Sequence, residues 1–230
     1  EQTGGRGRLG RAWSAPRGEG VWMSVLLRPE LAPADIAQIT LLTGLAVCDA
    51  IREVTGLNVQ IKWPNDILLN GKKVAGILTE LSVSSDGQVK WIVVGIGVNV
   101  NTRFADFPED VQDIATSLYF ERGLECSRLE LVRAICDQME VLYRDFIACG
   151  GDAKVFLPRY KVYSATLLRR VEMYAGNEKV EGIAEDFDEG GALLIRTDDG
   201  KLCRMFTGEV TSHPQEESDD TDEIMGGDAQ

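Results

Sequence analysis

Apolar residues recur at helical spacing along residues 33–56, PADIAQITLLTGLAVCDAIREVTG: Ile36, Ile39, Val47, Ala50, Ile51 and Val54, with Thr43 on the same face. Pro33 suits a first helical turn, where no amide donor is needed, and Gly56 suits a stop, so the spacing predicts an amphipathic helix. A second such period runs from Leu131 through Ile135, Met139 and Leu142 to Phe146. Ser127 with Glu130 three residues on is a capping box that starts it, and Gly150-Gly151 ends it. Elsewhere the pattern is that of strands. GVWMSVLLR alternates and then turns apolar; VQIKW, DILL, KKVAGILTEL and QVKWIVVGIGVNV follow, separated by Asn70-Gly71 and Asp86-Gly87. Both dipeptides favour type I′ turns, which predicts an antiparallel meander. From about Lys161 the runs shorten to ATLLRRVEMY, EKVEGIAEDFD, ALLIRTD and KLCRMFTGEV, divided by Gly176-Asn177, Gly190-Gly191 and Asp199-Gly200. A small all-β module of about 50 residues is expected there.

Charge and cysteine usage narrow the class. The 230 residues carry 24 basic and 37 acidic side chains, a net charge of −13. Glu216, Glu217, Asp219, Asp220, Asp222, Glu223 and Asp228 crowd the end without a basic neighbour, so residues 213–230 read as a solvated, disordered tail. An acidic body argues against a nucleic-acid partner, since such binding leans on phosphate neutralisation. Cys48, Cys126, Cys136, Cys149 and Cys203 are scattered singly, which gives no disulfide framework or zinc spacing and predicts a reducing cytoplasm. No apolar run reaches the roughly 18–20 residues of a membrane helix. The chain opens in turn chemistry, EQTGG, without a Met, so upstream residues are expected.

The opening GRGRLG, residues 5–10, satisfies G-x-G-x-x-G, but a dinucleotide-binding helix would begin at once, and RAWSAPRG with Pro16 does not. A Walker A loop is excluded because Arg11-Ala12 stands where Lys and Ser or Thr are required. What remains is a glycine loop bearing Arg6, Arg8 and Arg11. It reads equally as an anion cradle of backbone amides and guanidinium forks or as a solvated surface loop. With four arginines and no acid in residues 2–18, the loop is expected to be mobile until an anion orders it. In IKWPNDILLNGKKVAGIL, Pro64 interrupts a strand so that Asn65 and Asp66 point away from the sheet, and Lys73 starts the return strand. Taken singly, Asn65-Asp66 is an ordinary turn and Lys72-Lys73 ordinary edge-strand charge. Strand alternation sets Lys72 and Lys73 on opposite faces, so only one of them can face a ligand.

Taken together, GRGRLGRAW, KWPND, KKVAGIL and GIGVNVN in this order, with a terminal β module ending TGEV, resemble the biotin protein ligases over residues 1–212. The resemblance implies an α/β fold: a class II synthetase-like core (1–160), a mixed, largely antiparallel sheet backed by helices. A small Src-homology-3-like β-barrel (161–212) follows. It implies an enzyme that joins biotin to ATP, releases pyrophosphate and transfers biotin to a lysine of a biotin carboxyl carrier protein. By the resemblance, Gln2, Gly5, Arg6, Gly7, Arg8, Lys73, Gly76 and Gly97 bind biotin. Arg6, Arg8, Arg11, Trp13, Asn65, Asp66, Lys73 and Asn99 bind ATP, and Asp66 is the candidate ligand for Mg2+. Lys73 and Arg8 are the catalytic candidates, Lys73 standing between the biotin carboxylate and the α-phosphate. The resemblance also allows a homodimer. The Ser/Thr-rich biotin segment of the family would lie upstream of Glu1. A lipoate or octanoate ligase shares the architecture, and a biotinyl-adenylate-sensing regulator would need a DNA-binding domain upstream.

Overall fold

Ten strands and four α-helices make up the computed structural model, which describes residues 1–175 and 178–212. The predicted Gly176-Asn177 turn and acidic tail lie outside the described residues. In chain order the first half consists of β1 (Gly20–Leu27), α1 (Ile36–Thr55), β2 (Gln60–Lys62), β3 (Asp66–Leu69), β4 (Lys72–Val83) and β5 (Val89–Asn99). Then come α2 (Leu118–Arg122), α3 (Arg128–Ala148) and α4 (Leu157–Val162). The end is all β: β6 (Arg170–Ala175), β7 (Glu178–Phe187), β8 (Leu193–Thr197), β9 (Leu202–Met205) and β10 (Thr211–Ser212).

The predicted meander, β2 to β5, makes up four strands of the first sheet, and β1 joins it at the far edge beside β5, giving the order β1-β5-β4-β3-β2 with every neighbour antiparallel. Asn70 (φ 51) and Gly71 (φ 79) both adopt the left-handed conformation that a two-residue type I′ turn requires. Asp86-Gly87 behaves differently from the expectation. Only Gly87 has positive φ, Gly87 N bonds Ser84 O, and Ser84 N bonds Gln88 O. This is a three-residue loop with a glycine bulge, a longer solution that the same dipeptide also serves.

Alternation decides which face of this sheet is open. Ile92, Val94, Ile96 and Val98 of β5, with Ala75 and Ile77 of β4, are at most 2 % exposed and pack into the core with α1 and α3. Gly76, Leu78, Gly95 and Gly97 fall on the opposite face, which faces a cavity. The first helix corrects the amphipathic expectation: Gln38, Leu41, Gly44 and Asp49 are buried along with the expected stripe, because α1 lies among the sheet, α3 and α4. Buried Thr43 satisfies its hydroxyl by donating to Ile39 O at 2.7 Å. Helix α3 keeps the one-sided pattern, with Leu131, Ala134, Ile135, Met139, Leu142 and Phe146 inside. The Ser127 hydroxyl accepts from Glu130 N, which is one half of the expected capping box.

The second sheet has the order β10-β6-β7-β8-β9, again antiparallel, around Val171, Met173, Ala184, Phe187, Leu193 and Ile195. This is the small β module expected after the first sheet and its helices. It is tied to the first sheet at KWPND. Ile61 exchanges backbone bonds with Tyr163 and Ala165, Trp63 N donates to Thr166 Oγ1, and the Trp63 indole donates to Gly191 O at 3.0 Å.

Candidate active site

A cavity of about 1160 Å3 opens on the exposed face of the first sheet. The N-terminal loop borders it, as do the 63–66 turn, β4, β5, the segment Phe107–Ala115 and the segment Gly208–Thr211. Of the residues singled out in the sequence, Gln2, Arg6, Gly7, Arg8, Arg11, Trp13, Asn65, Asp66, Lys73, Gly76, Gly97 and Asn99 all line it. Gly5 does not. Its Cα faces the Trp13 carbonyl, where a Cβ would collide, so glycine there lets the loop close on itself.

The loop is a small hairpin. Gly7 N bonds Arg11 O at 2.7 Å, Trp13 N bonds Gly5 O at 3.0 Å, and Leu9 (φ 56) with Gly10 (φ 75) makes the turn. Arg8 and Arg11 are not unpaired, as the composition of residues 2–18 alone would have it. The Arg8 guanidinium donates to Asn65 Oδ1 at 2.7 Å, to Gly208 O and to Thr207 Oγ1, both at 3.1 Å, and Arg11 pairs with Glu209 at 2.6 Å. Acids and acceptors missing from the local sequence arrive from the second module.

Lys73 lines the cavity and Lys72 does not, and Lys73 shares that face with Gly76, three residues on, only because β4 bulges at Val74-Ala75, both buried, opposite the Ile67–Leu68 step. Lys73 Nζ lies 2.6 Å from Asp66 Oδ1, and both side chains keep partial exposure, 32 % and 23 %. Asn65 Nδ2 donates to the same Asp66 oxygen at 3.0 Å and to Ile77 O at 3.2 Å, so the turn after Pro64 presents a fixed amide and carboxylate. The backbone of Lys73 is held from its other side: Lys73 N donates to Ile114 O and Thr116 N to Lys73 O, a parallel bridge across Ala115. The Lys73 backbone is therefore anchored on two sides while its ammonium, paired with Asp66, borders the cavity.

The floor differs from what small residues by themselves suggest. The Trp13 indole occupies the space above Gly97 and Gly76: a Cβ on Gly97 would lie 2.7 Å from Trp13 Cε2, and one on Gly76 would lie 3.0 Å from Cζ3. Its Nε1 is buried without a hydrogen-bond partner, and Trp22 packs edge-on with centroids 6.2 Å apart. Asn99 is 5 % exposed, and its amide donates to Thr116 O at 3.0 Å, which fastens the Ile114–Thr116 segment.

Sequence reading missed the residues that hold these parts in place. Thr116 Oγ1 donates to Glu121, which also accepts from Asn70, joining α2 to the β3–β4 turn. No periodic signal marks residues 102–117, which form short 3-10 turns and a cap rather than a regular element. Thr207, Gly208 and Glu209 stood in the quoted TGEV; the clue to their role was an arginine loop with no acid of its own.

Among the described residues no group of three or more His, Cys, Asp or Glu side chains could hold a metal ion. Cys48 is buried and burial pushes its thiol well above the usual range, so it stays protonated and is no nucleophile. The chemistry on offer is electrostatic: amides, guanidinium forks and one fixed ammonium that can bring two anions together.

Comparison with known proteins gives this chemistry its context. Residues 1–99 match the Biotin/lipoate A/B protein ligase family and residues 169–214 match the Biotin protein ligase C terminal domain. The bifunctional ligase/repressor BirA of Bacillus subtilis is 40 % identical over 211 residues, which cover 91 % of this chain but 63 % of that protein. This chain thus spans less than two thirds of that relative's length. The biotin–[acetyl-CoA-carboxylase] ligase of Paracoccus denitrificans is 34 % identical over 87 % of this chain and 83 % of its own. The structure of the biotin protein ligase from Aquifex aeolicus in complex with biotin and ATP superposes with a TM-score of 0.78 at 33 % identity, covering 92 % of this chain and 85 % of that one. With two successive family regions in one chain, and the Paracoccus ligase matched over most of its length, the chain belongs to the biotin protein ligase family.

Proposed function

We propose that the cavity binds biotin and ATP, joins them as biotinyl-5′-AMP, and passes the biotinyl group to a lysine of a carrier protein. In the first step a biotin carboxylate oxygen bonds the α-phosphorus and pyrophosphate leaves; in the second a neutral lysine amine bonds the acyl carbon and AMP leaves. The observation that carries this reading is Lys73, fixed on both sides of its backbone and aimed into the cavity beside Gly76. Its ammonium, now paired with Asp66, suits the oxygens that gain charge as the α-phosphorus becomes five-coordinate.

Arg8 is assigned to the same charge, and Arg6, Gly7 and Gln2 to biotin. Trp13 and Asn99 are assigned to the nucleotide side, with Asn65 and Asp66 nearest its phosphates. Magnesium commonly reaches such sites on the phosphates with one or two protein carboxylates, and Asp66 fits that need where a three-ligand cage would not form. When bound, the ion would neutralise the leaving pyrophosphate. Five free thiols support a reducing, cytoplasmic setting. Incubation with ATP, biotin and a biotin carrier domain, followed by mass spectrometry, tests the reading. One biotinyl group gained by the carrier, and none with lipoate, is the expected result; no gain, or a lipoyl gain, refutes it.

A further inference from the structure

Residues 2–18 carry four arginines and no acid, yet the structure leaves neither Arg8 nor Arg11 without acceptors. Both reach Thr207–Glu209, the link between β9 and β10 of the second sheet. Arg11 Nη2 lies 2.6 Å from Glu209 Oε2, while Arg8 is gripped by the Gly208 carbonyl and the Thr207 hydroxyl. The link is itself held. Gly208 takes φ 144, a conformation for glycine, and a Cβ there would press within 2.6 Å of Met173 Cε, a buried core atom of the second sheet. Arg8 has five N–H groups, and its bonds to Asn65, Gly208 and Thr207 use three of them. Nε–H and one Nη2–H stay available to an anion in the cavity, so the grip orients the fork without consuming it.

We propose that Glu209 is a positioning residue: acting through Arg11, it latches the Gly5–Trp13 hairpin onto the second module, so that this module governs how long an acyl-adenylate stays in the cavity. The consequence for the adenylate rests on the ligase reading above; the latch does not. Arg11 and Glu209 are 67 % and 39 % exposed, and a pair so exposed shifts an equilibrium by only about two- to five-fold. That size suits a latch. It opens readily for substrates, yet it biases the hairpin towards the closed position, where Arg8 meets Asn65 at 2.7 Å. Because the pair is exposed, salt weakens it.

Limited trypsin digestion of the full chain, following cleavage after Arg6 and Arg8, tests the latch without any substrate. Glu209→Gln should raise cleavage about two- to five-fold at low salt. The reversed pair, Arg11→Glu with Glu209→Arg, should return it towards the parent, and the difference should shrink near 1 M salt. Release of synthetic biotinyl-5′-AMP, measured on the same proteins, should speed up and recover in parallel. Thermal melting of each variant separates a loosened hairpin from an unfolded chain, and the reversed pair is a second, independently folded probe. Equal cleavage of the parent and Glu209→Gln, or no recovery in the reversed pair, overturns the latch. Faster cleavage with unchanged adenylate release overturns the control of retention. Failure of the parent to bind the adenylate overturns the ligase reading instead, and the digestion still decides the latch.

Discussion

Two ion pairs in this molecule have the same length and opposite consequences. In the helical layer, Asp49 of α1 meets Arg159 of α4 at 2.6 Å with only 9 % of the aspartate side chain exposed. In the cavity, Asp66 meets Lys73 at 2.6 Å with both side chains partly open. Helix α1 is buried on nearly every side, so Asp49 has no route to a ligand and its pair serves to join α1 to α4. Lys73 borders the cavity, and on the proposed reading a substrate oxygen replaces its partner. Distance alone does not separate a buried ion pair from one that a ligand can reach; access to a cavity does.

Exchange of Lys73 for Ala probes that contrast most strongly. Adenylation should slow on the order of 10² to 10³-fold, as for loss of one preorganised donor, with melting temperature little changed. Lys72→Ala should be nearly silent, because Lys72 does not line the cavity. Pyrophosphate release for parent and both variants measures this, and equal rates for the two variants would undo the assignment.

Arg159→Ala should show the reverse profile: about 1–3 kcal/mol of stability lost, because a nearly buried carboxylate is left with one fewer charged donor, and adenylation per folded molecule unchanged. Urea titration followed by active-fraction normalisation distinguishes the two. If the rate falls with the stability, the helical layer and the cavity are not separable in this way.

Between these extremes stands Gly97, where the added methyl of Ala would lie 2.7–2.9 Å from three atoms of the rigid Trp13 indole. The ring must swing away, so ATP affinity should fall on the order of tenfold, about 1.4 kcal/mol. Gly95→Ala meets nothing closer than Leu78 O at 3.4 Å and serves as the control. Tryptophan fluorescence and ATP titration report the outcome; indistinguishable variants would mean that the indole is not the constraint on the floor.

The smallest effect concerns pH. Burial raises the Asp49 carboxyl above its ordinary value, with the Arg159 charge opposing. The folded protein therefore holds that proton more tightly than the unfolded chain. Its contribution to stability grows as pH falls through the raised value towards the ordinary carboxylate range, and is lost as pH rises again. Asp86, Glu172, Glu181, Asp198 and Asp199 are shifted downwards and act in the opposite sense. The difference in melting temperature between the parent and Asp49→Asn across pH isolates the one group. A constant difference would show that Asp49 does not titrate as its burial demands.

Much of this arrangement is legible in the chain because it is local. Hydrophobic period, caps and glycine stops depend on neighbours within one or two turns, and they place α1, α3 and the meander where the structure has them. Adjacency in one strand separates Lys73 from Lys72, but the β4 bulge decides which of them meets the cavity, and Asp66, expected to point clear of the sheet, instead opens β3 between Lys62 and Gly76. Local pattern is silent where several partial signals compete. Asp86-Gly87 serves two turn geometries, and residues 102–117 acquire their shape by docking against β4 and Asn99 rather than from any period of their own.

Sequence by itself determined which residues carry charge and which backbone positions tolerate sharp turns, since these are properties of single residues and their immediate neighbours. Only the tertiary structure decided what those charges face. Arg8 finds Thr207 and Gly208 about 200 positions away, and Trp13 fills the room that Gly76 and Gly97 leave. Such contacts depend on how the two sheets pack, through Trp63, Gly191 and the α4 connection. Packing is a cooperative property of the whole buried surface, and no short stretch of residues encodes it.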